Sequence, residues 1–122
     1  MARVFLDTNI FIDSVKRRPE KEILRSLMGH TLIISPISIA IYCYLYNIKI
    51  PNRELSIQLA EFQVVNLSQE TSDKALQGPT SDFEDNVQLY SAAEAESNDF
   101  LTNYIQLQDL KIFFKTRIIN KL

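Results

Sequence analysis

The sequence predicts an α/β fold in which a parallel sheet is covered by helices on both faces. Three short apolar runs, at residues 4–6, 31–35 and 62–67, alternate with segments whose apolar residues recur at helical spacing. Each run is apolar on both of its sides, as strands buried between two layers are. Strands that alternate with helices in this order form a parallel sheet.

Composition limits the class of protein. The chain has 122 residues, of which 46% are hydrophobic, so we expect a single domain over residues 1–122. Two glycines and four prolines, with no repeated unit, exclude a solenoid and a low-complexity chain. The single cysteine, Cys43, excludes an intrachain disulfide framework and favours a reducing compartment. Without an apolar run that spans a bilayer, we expect a cytoplasmic protein with no membrane partner.

Helices are predicted from their spacing and end signals. Gly29 is a typical residue at a helix C-terminus, and Ser35 with Pro36 is a typical cap and first-turn pair. Ser68 is able to cap another helix. The predicted helices in this part of the chain cover residues 10–15, 20–29, 36–47, 53–62 and 68–77.

The last third of the chain is predicted to form one long helix and two short strands. Ser81 and Glu84 fit a capping box, in which the serine accepts from an amide near Glu84 and Glu84 reaches back to the cap. The helix is predicted to run from Asp82 to about Glu96. Two short strands are predicted after it, at residues 99–102 and 111–116.

Asp7 directly follows the first predicted strand. In open α/β sheets, ligands bind beyond the carboxyl ends of the strands, although an acid there can also simply cap the next helix. Capping does not explain a second acidic cluster, at residues 82–85, where another helix begins. Asp82 and Asp85 are three residues apart and therefore face the same side of that helix. Convergent carboxylates at strand and helix ends suit Mg²⁺ or Mn²⁺.

Four segments of the chain carry recognisable motifs and are, in order, VFLDTNIFID, IISPISIAIYCYL, SDFEDNVQLYSAAEA and DFLTNY. Together they resemble a PIN domain of the kind found as ribonuclease toxins in toxin–antitoxin pairs. The resemblance covers nearly the whole chain and implies a Rossmann-like parallel sheet of four to five strands between helices. It also implies RNA cleavage with Mg²⁺ or Mn²⁺. By this match, Asp7 and Asp85 are the catalytic and metal-binding acids, and Asn9, Thr102 and Asn103 are supporting polar residues.

The resemblance also shows where acids are missing. The family has a glutamate six residues after the serine that matches Ser35, and Ile41 stands there. The family's fourth acid or a polar stand-in follows the match to Thr102 and Asn103, where this chain has Tyr104. Candidate substitute acids are Asp82, Glu84, Asp99 and Asp109. Two functions remain open: a Mg²⁺- or Mn²⁺-dependent ribonuclease, and a catalytically degenerate PIN domain that binds RNA or protein.

The charge of the chain limits how it could contact RNA. The net charge of −2 requires any RNA contact to use a local basic patch, although charge runs commonly only solvate a surface. Basic residues cluster at Lys16, Arg17, Arg18, Lys21 and Arg25, and again at Lys111, Lys115, Arg117 and Lys121. The resemblance implies an RNA substrate, an antitoxin protein and a homodimer. The one histidine, His30, is expected to pack or to lie at the surface.

Overall fold

The structure is a computed structural model that describes residues 1–16 and 26–122. Within these ranges the chain forms six strands: β1 (Arg3–Leu6), β2 (Thr31–Ile34), β3 (Gln63–Val64), β4 (Asp99–Leu101), β5 (Ile112–Phe113) and β6 (Thr116–Ile119). The helices there are α1 (Thr8–Val15), α2 (Pro36–Leu45), α3 (Arg53–Leu59), α4 (Gln69–Ala75), α5 (Phe83–Glu94) and α6 (Ile105–Gln108). Most of the helix predicted over residues 20–29, and the basic residues Arg17, Arg18, Lys21 and Arg25, lie outside the described ranges.

The strands form one sheet in the order β3-β2-β1-β4-β6-β5. Neighbouring strands are parallel except for β5 and β6, which are antiparallel. The predicted α/β class is therefore confirmed, with six strands in the described ranges rather than four to five. The chain adds β2 and β3 on one side of β1 and then crosses to β4 on the other. This reversal is the topological switch point, where open α/β sheets bind ligands.

Residues of β1 alternate between the two faces of the sheet. Val4 and Leu6 pack with Phe11 of α1 on one face. Phe5 packs on the other face with Phe100 of β4 and with the apolar side of α5. The rings of Phe5 and Phe100 stack with their centroids 5.5 Å apart. Because both faces are buried, the strand is apolar from Val4 to Leu6, and this is the property that predicted it from the sequence.

Serine caps begin two of the helices where the sequence predicts them. Ser35 accepts a hydrogen bond from the Ile37 amide at the start of α2, with Pro36 in the first turn. Ser68 accepts from the Thr71 amide at the start of α4. Across residues 1–16 and 26–122, no helix has the length and apolar character that crossing a membrane requires.

The predicted capping box at residues 81–84 is wrong by one residue. Asp82, rather than Ser81, is the N-cap of α5, and its Oδ1 accepts from the Asp85 amide at 3.0 Å. The amide of Asp82 is itself satisfied by Thr80 Oγ1 at 3.0 Å. A carboxylate at this position also interacts favourably with the helix dipole. Glu84 therefore lies second in the helix instead of third, and its side chain is free to make other contacts.

The strand predicted over residues 111–116 is also wrong, because the structure has a hairpin there. Phe114 has a φ of 54°, in the left-handed region, and the chain reverses at this point between β5 and β6. This turn contains no glycine or asparagine that would have signalled it. The strand that continues the parallel sheet is β6, which pairs with β4 from Arg117 opposite Asp99 to Ile119 opposite Leu101.

Candidate metal-binding active site

Asp7 and Thr102 lie side by side at the carboxyl edge of the sheet. β1 ends at Leu6 and β4 ends at Leu101, and these two residues are partners in the parallel register. The Asp7 amide donates to the Leu101 carbonyl at 3.0 Å, and Thr102 Oγ1 donates to Asp7 Oδ2 at 2.6 Å. Both side chains are buried. The switch point of the sheet thus contains a buried carboxylate.

The Asp7 carboxylate does more than cap a helix. Its Oδ1 accepts from the Thr8 amide at 2.8 Å, which makes Asp7 the N-cap of α1. The same oxygen accepts from Gln88 Nε2 of α5 at 3.1 Å. Burial raises the pKa of Asp7, and the hydrogen bonds from Thr102, Thr8 and Gln88 oppose that rise. In the described part of the chain, no Lys or Arg forms an ion pair with Asp7.

Gln88 joins two carboxylates through one amide group. Its Nε2 donates to Asp7 Oδ1 and, at 2.9 Å, to Glu84 Oε2. Thr8 Oγ1 also donates to Glu84 Oε2 at 2.7 Å, and Ser38 Oγ of α2 lies 2.9 Å from Thr8 Oγ1. Gln88, Thr8 and Ser38 are all buried. The hydrogen bonds therefore connect α1, α2 and α5 around Asp7.

Asp85 is half-buried beside the same group. Burial raises its pKa to about 7, and the negative charges of Asp82, Asp7 and Glu84 add to the rise. Among residues 1–16 and 26–122, no Lys or Arg forms an ion pair with Asp85. Because the charged forms of these carboxyls repel one another, a bound cation would stabilise all of them.

The predicted supporting residues divide into two kinds. Thr102 is buried and donates to Asp7, and it also accepts from the Tyr104 amide at 3.0 Å. Asn9, in the first turn of α1, and Asn103, after β4, are exposed. Among the described residues, neither asparagine side chain has a hydrogen-bond partner. The structure therefore brings Thr102 to Asp7 but leaves the two asparagines free to face solvent or a ligand.

The candidate substitute acids lie in different places. Asp82 caps α5, and its charge contributes to the raised pKa of Asp7. Asp99 begins β4, at the opposite end of the strand from Thr102, and its Oδ1 accepts from Arg117 Nη2 at 2.7 Å. Asp109 is exposed at the end of α6. Of these three acids, only Asp82 is brought close to Asp7.

Ile41 shares a side of α2 with Ser38. It follows Ser38 by three residues, and residues with this spacing share a side of a helix. Ser38 contacts Thr8, which contacts Glu84. On the side of α2 that carries Ser38, position 41 therefore has an apolar side chain rather than an acid.

The donor set fits a hard divalent cation held by few protein ligands. In the described ranges, no three Asp, Glu, His or Cys side chains are grouped closely enough to form a complete metal site. Mg²⁺ does not need such a group, because it is commonly held by one or two carboxylates with water and a substrate phosphate. Asp7 and Asp85 supply two carboxylates whose mutual repulsion a cation would relieve.

His30 is far from this edge of the sheet. Its Nδ1 accepts from the Ala2 amide at 3.1 Å, and both residues precede the strands β1 and β2. They therefore lie at the amino ends of the strands, whereas Asp7 lies at the carboxyl ends. His30 therefore contacts the backbone before β1 and takes no part in the site around Asp7.

A comparison with protein families decides what kind of domain this is. The family model "PIN domain" matches residues 4–103, from β1 to the residue after Thr102. The chain belongs to the PIN domain family. A search of curated proteins finds no match.

Solved structures share this PIN fold. One is VapBC2 from Rickettsia felis bound to a DNA fragment from its promoter, with a TM-score of 0.66 and 16% identity over 95% of this chain and 96% of that one. Another is a toxin–antitoxin complex from Klebsiella pneumoniae, with a TM-score of 0.68 and 18% identity over 98% of this chain and 99% of that one. At these identities the similarity concerns the fold.

Three polar residues around Asp7 in this PIN domain are not singled out by the sequence pattern: Thr8, Ser38 and Gln88. A signal for Gln88 does exist. It lies between the apolar residues Val87 and Leu89, and it follows Glu84 by four residues and Asp85 by three. It therefore shares a side of α5 with both acids. A buried glutamine aligned with two acids in this way indicates a polar site inside the fold.

Proposed function

We propose that this PIN domain is a ribonuclease of the toxin type that depends on Mg²⁺ or Mn²⁺. The observation that supports this best is the pair of carboxylates at the switch point. Asp7 is buried there, and Asp85 has its pKa raised by neighbouring acids, with no basic partner for either in the described ranges. Oxygen donors of this kind suit these cations. The structures with the same fold are described as toxin–antitoxin proteins, which supports the toxin type.

In this proposal the protein contributes two carboxylates and a rigid support. Thr8, Thr102 and Gln88 hold Asp7 in one orientation through hydrogen bonds from three different elements. Asp85 provides the second carboxylate when it is deprotonated. A divalent cation bound there would place positive charge at the scissile phosphate and lower the pKa of the attacking water. Thr102 keeps the Asp7 carboxylate from rotating.

The bond that breaks is a phosphodiester bond of RNA. The water oxygen forms a new bond to phosphorus, the bond from phosphorus to the leaving sugar oxygen breaks, and that oxygen takes up a proton. Ribonucleases that instead use the ribose 2′-hydroxyl need a general acid and base such as a pair of histidines. This chain has one histidine, and His30 lies at the other end of the sheet. Its position favours attack by water.

Cleavage of RNA by the purified protein tests the proposal. We expect cleavage with Mn²⁺ or Mg²⁺, loss of cleavage with EDTA, and recovery when the cation is added back. A substrate with a single 2′-deoxynucleotide at the cleavage position should still be cleaved, because water attack does not use the 2′-hydroxyl. Cleavage that continues at the same rate in EDTA would contradict the proposal.

A catalytically degenerate PIN domain is the second candidate function. It is favoured by Ile41 at the position of the family's glutamate and by Asp7 Oδ1, which already accepts two hydrogen bonds. A protein of this kind would bind RNA or a protein partner and cleave neither RNA nor DNA in either cation. Equal inactivity of the wild type and of an Asp7→Asn variant would support it.

Exposed apolar side chains support protein partners. Tyr44 and Leu45 at the end of α2 are 86% and 60% exposed, and Ile50 after that helix is 76% exposed. Large apolar side chains clustered at a surface commonly mark a protein interface. We propose that the partners are an antitoxin protein and a second copy of this chain, acting in the cytoplasm. Sedimentation at twice the mass of one chain would support the homodimer.

Restoring the missing acid tests how α2 is placed. In the Ile41→Glu variant, we expect a several-fold rise in Mn²⁺ affinity and in RNA cleavage, because a carboxylate is added near Asp7 and Asp85. Titration calorimetry with Mn²⁺ measures the first effect. An Ile57→Glu variant is the matched control, since Ile57 is 63% exposed on α3. If neither quantity changes in Ile41→Glu, position 41 does not contribute to the cation site.

A further inference from the structure

Glu84 is a third carboxylate at this edge of the sheet, and the proposed chemistry of Asp7 and Asp85 leaves it without a function. Its Oε2 accepts from Thr8 Oγ1 at 2.7 Å and from Gln88 Nε2 at 2.9 Å. Within the described ranges, its Oε1 accepts no hydrogen bond and no basic side chain pairs with it. One oxygen of a half-buried carboxylate is therefore available to water or to a cation.

The Gln88 amide holds Glu84 close to Asp7. The same nitrogen lies 3.1 Å from Asp7 Oδ1 and 2.9 Å from Glu84 Oε2, so these oxygens are at most about 6 Å apart. Two carboxylates held this close repel each other unless a cation lies nearby. A neutral side chain at position 84 could accept the same hydrogen bonds from Thr8 and Gln88 and join the helices equally well. The negative charge of Glu84 therefore needs another explanation.

Glu84 is also connected to the side of α2 where the family's acid is missing. Ser38 Oγ lies 2.9 Å from Thr8 Oγ1, and Thr8 Oγ1 donates to Glu84. Ile41 is one turn beyond Ser38 on the same side of α2. Glu84 is free for this contact because α5 begins at Phe83, with Asp82 as its cap. A carboxylate from α5 therefore reaches the region that α2 leaves without one.

We propose that Glu84 places a third negative charge beside the cation site of Asp7 and Asp85, in place of the acid that α2 lacks. This inference rests on the proposed function. Since the described residues contain no complete three-ligand group, Glu84 acts through its charge and through hydrogen bonds that water donates to Oε1. Groups that act at this distance from a metal typically change its affinity by about 10-fold to 100-fold.

Mn²⁺ binding to the full chain, followed by the electron paramagnetic resonance of free Mn²⁺, tests this inference. In Glu84→Gln the side-chain oxygen still accepts from Thr8 and Gln88, so the fold is kept while the charge is lost. We expect the Mn²⁺ dissociation constant to rise by about tenfold. Glu70→Gln is the matched control, because Glu70 is exposed on α4, where it pairs with Lys74. Its dissociation constant should stay within twofold of the wild type.

A second variant tests whether Glu84 replaces the acid of α2. Adding Ile41→Glu to Glu84→Gln should restore the wild-type dissociation constant for Mn²⁺, because the site again has three carboxylates. A measurement on the wild type avoids any loss of folding. In a Mg²⁺ titration followed by carbon NMR, the carboxyl resonance of Glu84 should move together with that of Asp7, while that of Glu70 stays in place.

The outcomes separate this inference from the proposed function. If Asp7→Asn weakens Mn²⁺ binding while Glu84→Gln stays within twofold of the wild type, Glu84 only joins the helices. The inference is then overturned and the proposed function stands. The inference is also overturned if Mg²⁺ shifts the carboxyl resonance of Asp7 while the resonance of Glu84 stays in place. If the wild type binds neither cation, the proposed function fails and this inference fails with it.

Discussion

In the Asp7→Asn variant, RNA cleavage is expected to fall by at least about a hundredfold while the protein stays folded. The asparagine oxygen can still accept from the Thr8 amide and from Gln88 Nε2, so the cap of α1 is kept. Its amide nitrogen would donate to Thr102 Oγ1, which has a free lone pair. The loss is therefore one negative charge at the cation site rather than a set of hydrogen bonds.

Cleavage assays and thermal unfolding together measure this effect. The free energy of unfolding should change by no more than about 2 kcal/mol, the upper end of what a lost helix cap costs. RNA binding without cleavage should persist or strengthen, because one negative charge near the phosphates is gone. Asp73→Asn, in an exposed position on α4, is the matched control and should cleave like the wild type. Wild-type cleavage by folded Asp7→Asn would rule out Asp7 as the central cation ligand.

The Asp85→Asn variant is expected to stabilise the cation-free protein at pH 8 and to lose cleavage. The folded-state pKa of Asp85 is about 7, above its ordinary value of 3.8, so the folded protein holds a proton that the unfolded chain releases between these values. The stability that this proton contributes is present at pH 4 and is lost as the pH rises through 7. After allowance for solvent screening of a half-buried group, the effect is about 1 to 2 kcal/mol.

Thermal unfolding in EDTA at pH 5 and pH 8 measures the effect of Asp85. The wild type should lose stability between these values, and Asp7 and Glu84 add to the loss because burial also raises their pKa. Asp85→Asn should lose less stability over the same pH range. It should therefore be more stable than the wild type at pH 8, with only a small difference at pH 5. Mn²⁺ at pH 8 should raise the unfolding temperature of the wild type more than that of Asp85→Asn. Equal pH dependence in both proteins would contradict the raised pKa.

The local sequence determined three of the strands and several helix ends. The last two residues of β1, β2 and β4 are all buried and apolar, and such runs stand out in a sequence. The caps Ser35 and Ser68 act on amides two and three residues away, so their effect is also local. Asp7 stood out for the same reason, as a carboxylate that directly ends an apolar run.

The tertiary structure decided which residues surround Asp7. Thr102 reaches it only because β1 and β4 are parallel neighbours with Leu6 opposite Leu101, and this register joins residues 95 positions apart. The reversal at Phe114 likewise depends on β6 pairing with β4 rather than on a turn signal. Pairings of this kind are set by the packing of the whole sheet, which no short segment of sequence contains.

At Glu84, the local sequence and the tertiary structure each decided a separate feature. A capping box and a cap at Asp82 are both compatible with the residues at 81–84, and they differ by one position. That one position decides whether Glu84 turns back to the start of its own helix or reaches Thr8 and Gln88. The sequence determined that an acidic helix start follows residue 80. Only the packing of α5 against α1 decided that Glu84 lies beside Asp7. One of its hydrogen-bond partners, Gln88, is on its own helix, but the other, Thr8, is 76 positions away in the sequence.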